Sequence, residues 1–164
     1  MLNRIKAGIV AGLAAGLAVA VMVLVYDLAH REPLSTPALL AGTVLGTPVD
    51  VEPGLGLVAW VTSVLSAGWA ISAYTAAHFA VFAVVGVGAA FVFAGGRIRG
   101  NVLTGALYGA LAGTAVFYLG LALVAPEFLA VPDWRLVVLT NAVAGVVMVS
   151  QLLDHPERAD GSLA

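Results

Sequence analysis

Four stretches of the chain are almost wholly apolar over about 20 residues or more. They are 5–29 (IKAGIVAGLAAGLAVAVMVLVYDLA), 72–94 (SAYTAAHFAVFAVVGVGAAFVFA), 102–125 (VLTGALYGALAGTAVFYLGLALVA) and 134–153 (WRLVVLTNAVAGVVMVSQLL). A spanning helix needs about 20 such residues, because roughly 30 Å of hydrocarbon is crossed at about 1.5 Å per residue. Inside a bilayer an unpaired backbone group costs several kcal/mol, so each stretch has to close its own hydrogen bonds as a helix, whatever its content of Val and Gly. The prediction is an all-α fold: a polytopic membrane protein whose four transmembrane helices form one bundle and one membrane domain over 1–164. An outer segment, 30–71, joins the first two spans, and a tail, 154–164, follows the last. The first stretch has the basic flank of a signal peptide (Arg4, Lys6) and an A-x-A at Ala18 to Ala20. Its apolar run continues to Ala29, so it reads as a retained span.

Charge sets the orientation. Arg4, Lys6, Arg97, Arg99 and Arg158 fall on one side of a four-span topology, and only Arg31 and Arg135 on the other. Positive residues stay inside, which predicts cytoplasmic N- and C-termini and, for so small a chain, a bacterial cytoplasmic membrane. The outer connections carry Glu32, Asp50, Glu52, Glu127 and Asp133, an acidic face. With 7 Lys+Arg against 9 Asp+Glu there is no basic excess for nucleic acid, and the bilayer is the first partner. The chain has no cysteine, which excludes disulfides, thiolate metal sites and Cys nucleophiles.

The segment 30–71 is too long for a hairpin turn and too apolar for a solvated loop. In STPALLAGTVLGTP, Ser35 or Thr36 is placed to cap a helix with Pro37 in its first turn, and Gly46 with Pro48 to stop it. At about ten residues that helix is too short to span, so it is expected in the interface or re-entering partway. After the turn-rich VDVEPGLG, residues 57–71 read as an outer interfacial helix with Trp60 and Trp69 at headgroup depth, bending near Gly68 into the second span. A short fifth span is the alternative for 57–71, but it reverses the C-terminus and spoils the charge bias. Asp133, directly before Trp134, is placed to cap the fourth span.

Two spans carry glycines four apart: Gly8, Gly12 and Gly16 in the first, Gly105, Gly109 and Gly113 in the third. Such GxxxG ridges form a groove along one helix face that lets another backbone approach closely. They either close the bundle itself or grip a partner helix. Each follows basic residues on the inner side, so the chain also admits a reading as two related hairpins, although Gly and Ala are abundant enough here for a chance match.

Polar residues inside a bilayer are costly and often functional. At about 100° per residue Asp27 falls within roughly 20° of Gly16, and His30 projects near Gly12. On the second span Tyr74 and His78 are four apart and share a face. Counted from Ser72, His78 is expected in the outer leaflet, near the depth of Asp27 and His30. Asn141 of the fourth span is expected at a similar depth. The candidate site is therefore Asp27, His30, His78, Asn141 and Tyr74, with Tyr26 and Tyr118 nearby. Asp27, His30 and His78 offer ligands to zinc, iron or copper, and the cluster admits a haem, a quinone or a pigment. The structural alternative is that His78 donates to Asp27 or a carbonyl and ties the first two spans together.

No carboxylate pair, no Ser-His-Asp arrangement and no P-loop is present, GGRIRG at 95–100 being a basic turn. The tail leaves the membrane through Asp154, His155 and Pro156 and is too short to fold. The spans lack a mid-helix proline and a central charge, the marks of a transporter acting alone, though an oligomer remains a transporter or channel reading. The expectation is a non-catalytic accessory subunit, packing by its Gly-rich faces against a larger membrane complex, of respiratory or photosynthetic type by analogy. The alternative is a protein that binds a metal, haem or quinone at the Asp/His cluster.

Overall fold

The computed structural model describes residues 1–32, 34–45, 56–93, 98–130 and 132–154, and among these there is helix and no strand. The elements are α1 (Leu2–Ala29), α2 (Ser35–Leu45), α3 (Gly56–Phe93), α4 (Val102–Tyr108), a π-helical turn (Gly109–Gly113), α5 (Thr114–Val124), a short 3-10 turn (Pro126–Phe128) and α6 (Trp134–Asp154). Four helical stretches are long and apolar enough to cross a membrane: Leu2–Ala29, Ala67–Phe93, Val102–Val124 and Trp134–Asp154. The expected stop at Gly46 and Pro48, the acidic turn over 49–55, Arg97, and the tail with His155, Pro156 and Arg158 lie outside the described residues.

The second span departs from the sequence reading. Instead of an interfacial helix bending near Gly68 into a span at 72, α3 runs unbroken through Gly68 for 38 residues. At about 1.5 Å per residue it is about 57 Å long, nearly twice the hydrocarbon thickness. No proline or polar turn interrupts 56–93, so nothing in the sequence breaks the hydrogen-bond ladder. The same continuity removes the fifth span.

The helices approach most closely where side chains are missing. A Cβ on Gly86 of α3 would lie 2.6 Å from the amide nitrogen and 2.7 Å from the Cα of Gly12 in α1, and would fall on the carbonyl oxygen of Gly8. The second hairpin closes in the same way: a Cβ on Gly145 of α6 would lie 2.6 Å from the nitrogen and 2.8 Å from the Cα of Gly109, and would fall on the carbonyl oxygen of Gly105. In each hairpin a Gly-x3-Gly pair of the first helix brackets one glycine of the second, which lets backbones meet and gain dispersion contacts. Both glycine ridges are thus used inside the chain.

These contacts also set the register. Gly8 faces Gly86 and Val87, and Gly16 faces Phe79 and Phe82, so α1 and α3 run antiparallel. By that register the end of α1 lies near residue 66 of α3, and α3 continues for about ten residues, or about 15 Å, beyond it. α2 also lies against α3. The core is concentrated toward the other end, where Ala11 and Ala15 of α1, Ala89 and Ala90 of α3, and Ala144 and Met148 of α6 are all within 1% of full burial.

The third span is the least buried of the four. Its N-terminal part, α4 and the π turn, lies along α6, while α5 makes slight contact there and, among the described residues, buries only Leu121. Asn101 starts it with a capping box: its side chain accepts from the Thr104 amide at 2.9 Å, and the Asn101 amide donates to Thr104 Oγ1 at 2.9 Å. Tyr108 ties it to α3, its hydroxyl donating to the Val85 carbonyl at 2.9 Å while its ring meets Phe93 edge to face. On α6, Asp133 accepts from the Arg135 amide at 2.9 Å, a side-chain cap on the first turn.

Candidate functional site

The polar residues singled out by the sequence do not gather in one place. His78 on α3 sits 3.1 Å, through Nε2, from the carbonyl oxygen of Gly16 on α1. A carbonyl only accepts, so Nε2 carries the proton and donates. Gly16 makes this approach possible, since the Phe79 ring and the Phe82 Cβ already stand 3.1 and 3.2 Å from where its Cβ would be. Around the imidazole stand the rings of Tyr74, Phe79 and Phe82, with centroids at 6.0, 5.5 and 4.8 Å. Tyr74 therefore belongs to the apolar packing of His78. An interhelical hydrogen bond of this kind contributes about 0.6 kcal/mol, at most about 1.7.

Asp27 is elsewhere. It lies eleven residues beyond Gly16 on α1, about 16 Å along the axis, so His78 is not at its depth. The expectation of a shared depth counted His78 from Ser72, whereas the antiparallel register and the span's start at Ala67 carry it deeper. Asp27 is 1% exposed and accepts two bonds from Thr36: Oγ1 donates to Oδ1 at 2.6 Å and the amide to Oδ2 at 3.0 Å. The cap of α2 is thus supplied by a carboxylate nine residues upstream, not by Ser35 or Thr36. A negative group here also complements the positive N-terminal end of the helix dipole. Hydrogen bonds to a charged group contribute about 1.5–3 kcal/mol each.

The connection carrying this clamp is strained. Arg31 (φ 61°) and Leu34 (φ 67°) both adopt the left-handed region, at a cost of roughly 1–2 kcal/mol each for a residue with a Cβ. Arg31 occupies the position of a Schellman turn that glycine normally takes, with the Glu32 amide on the Asp27 carbonyl at 3.0 Å and the Arg31 amide on that of Leu28 at 3.1 Å. His30 ends α1 on the surface, its Nδ1 donating to the Tyr26 carbonyl at 2.8 Å and its ring 4.2 Å from that of Tyr26. It faces neither Asp27 nor His78.

Asn141 belongs to the other hairpin. It is buried on α6, its Nδ2 donates to the Val137 carbonyl at 2.9 Å, and its Oδ1 lies 2.5 Å from where a Cβ on Gly113 would stand. The third-span glycine thus makes room for the Asn141 side chain. Next to it the π turn ends at Thr114, whose hydroxyl is buried and finds no hydrogen-bond partner within the protein. Tyr108 and Thr114 were not singled out from the sequence, and Thr36 was singled out only as a cap, not as the partner of Asp27. For Thr36 the signal was its place in the first turn of a predicted helix; Tyr108 and Thr114 carry none.

Asp27, His30 and His78 therefore do not fit a shared metal ion, and among the described residues no group of three His, Cys, Asp or Glu side chains is gathered to hold one. Nor do the two histidines face each other as axial ligands of a haem must. What the arrangement does is mechanical: His78 joins α3 to α1, Asp27 joins α2 to α1, and Tyr108 joins the third span to α3. No family model matches the chain, and neither a curated protein nor a solved structure matches it.

Proposed function

We propose that the protein is a non-catalytic integral membrane protein of a bacterial cytoplasmic membrane, with both termini cytoplasmic, acting as an accessory subunit of a larger membrane complex. One observation carries the reading: the His78, Asn141, His30 and Asp27 side chains of the sequence-predicted site are engaged with the chain's own backbone and caps, at Gly16, Val137, Tyr26 and Thr36. Intramembrane polar groups normally mark a ligand or ion path; here His78 and Asp27 fasten one helix to another, while His30 and Asn141 bond to carbonyls of their own helices. The orientation rests on the arginine and lysine bias.

The reading differs from the sequence expectation in one respect. The glycine ridges are occupied within the bundle, so the partner surface is the outward one. The third span supports this, being least buried and presenting Leu111, Leu119 and Leu123 at 72%, 61% and 77% exposure. The test is affinity capture of the tagged chain from native membrane in mild detergent. Other membrane polypeptides in fixed ratio are expected in the eluate; the chain eluting alone contradicts the reading.

A further inference from the structure

We propose that α2 is a strap, fastened to α1 by a latch, the Asp27 carboxylate on Thr36, and poised between this seated position and a released one. Four features of the connection carry this. The latch is two hydrogen bonds to one fully buried carboxylate, both from the same residue. The chain between latch and strap is held in the left-handed region at Arg31 and Leu34, a cost of the same order as the latch's contribution and opposed to it. With 11 residues, α2 is too short to persist as a helix once detached. Among its described side chains the buried ones are Ala38, Ala41 and Thr43, and two of these three are methyl side chains that remove little apolar surface from water.

The four spans do not depend on α2. Their core and both glycine junctions lie among α1, α3, α6 and the third span. Breaking the latch therefore frees the strap and leaves the bundle closed. Release bares Ala38 and Ala41 and the first turn of α2. A molecule binding at this end of the protein shifts the balance by whatever it gains from one position of α2 over the other. The proposal stands whether or not the protein is a subunit of a complex.

The chain has no cysteine, so Ala41→Cys, at a position 0% exposed, supplies a sole thiol that a water-soluble maleimide reaches only when the strap lifts. In full-length protein in lipid nanodiscs, Asp27→Asn and Thr36→Val are expected to raise the labelling rate by about tenfold or more, and Arg31→Gly, which relieves the left-handed strain, to lower it. Amide exchange on chains without the cysteine is the second measurement, with residues 38–45 exchanging faster in Asp27→Asn while residues 7–19 keep their wild-type rates. Labelling and exchange unchanged by Asp27→Asn overturn the proposal. So does a parallel rise over 7–19, which would make Asp27 a support of the whole bundle and not a latch.

Discussion

Gly86→Ala adds one methyl group at the point where α3 meets α1. The new carbon would stand 2.6 Å from the nitrogen and 2.7 Å from the Cα of Gly12, and would overlap the carbonyl of Gly8. Non-bonded carbons rest about 3.5–4.0 Å apart, so α3 has to withdraw by roughly 1 Å, enough to forfeit a quarter to a half of each dispersion contact along the seam. Every atom in the way is backbone, and no rotamer change relieves it. Overpacking costs about 1–3 kcal/mol, and a rigid backbone obstacle places this case near 3. Alanine returns about 1 kcal/mol of helix propensity, leaving a net loss of about 2 kcal/mol. Gly145→Ala should lose as much, because the geometry against Gly105 and Gly109 is the same. The control is Gly120→Ala, where no heavy atom lies within 4 Å of the added carbon. Reversible unfolding in mixed micelles, followed by loss of helical circular dichroism, should place both junction variants about 3 kcal/mol below this control, which gains the same helix propensity without the overlap. Junction variants within about 0.5 kcal/mol of Gly120→Ala, the ordinary scatter of a surface change, would refute close backbone packing as the basis of the bundle.

The hydrogen bonds give further tests by the same unfolding assay. His78→Ala removes the bond to the Gly16 carbonyl and part of the aromatic cluster, and should cost about 1–3 kcal/mol; purified wild-type and variant should show the same metal content and visible spectrum. Tyr108→Phe deletes only the hydroxyl that reaches the Val85 carbonyl, with an expected loss of about 0.5–1.5 kcal/mol and faster amide exchange in the third span than in α1. Arg31→Gly should stabilise the protein by up to about 1 kcal/mol, because the left-handed backbone there suits glycine; a loss of stability would contradict the assigned conformation.

The spans were legible because hydrocarbon thickness dictates their length, and the long apolar runs admit no other backbone solution. Asp133 was legible as a cap because the residue lies next to the helix it caps. The errors concern relations between helices. His78 was misplaced because its depth was counted from a boundary at Ser72, and the apolar sequence of α3 offers no mark between 56 and 72 to say where the membrane begins. Asp27 was placed on the packing face by its angular relation to Gly16, and it is buried; its partner Thr36 was hidden because the pairing depends on the left-handed turn at Arg31 and Leu34, which no glycine announces. The π turn over Gly109–Gly113 was also hidden. Its glycines repeat the spacing of Gly8, Gly12 and Gly16, which stay α-helical, and the pattern of residues does not separate the two cases.

The central claim, a structural subunit whose polar groups are used internally, is tested most directly by the native mass of the protein extracted from its own membrane. The chain alone is 16.6 kDa. The account predicts an assembly of several times that mass in mild detergent, containing other polypeptides and disappearing as a species when the chain is deleted. Migration of all the protein as a monomer or small homo-oligomer, with no other polypeptide attached, would contradict it.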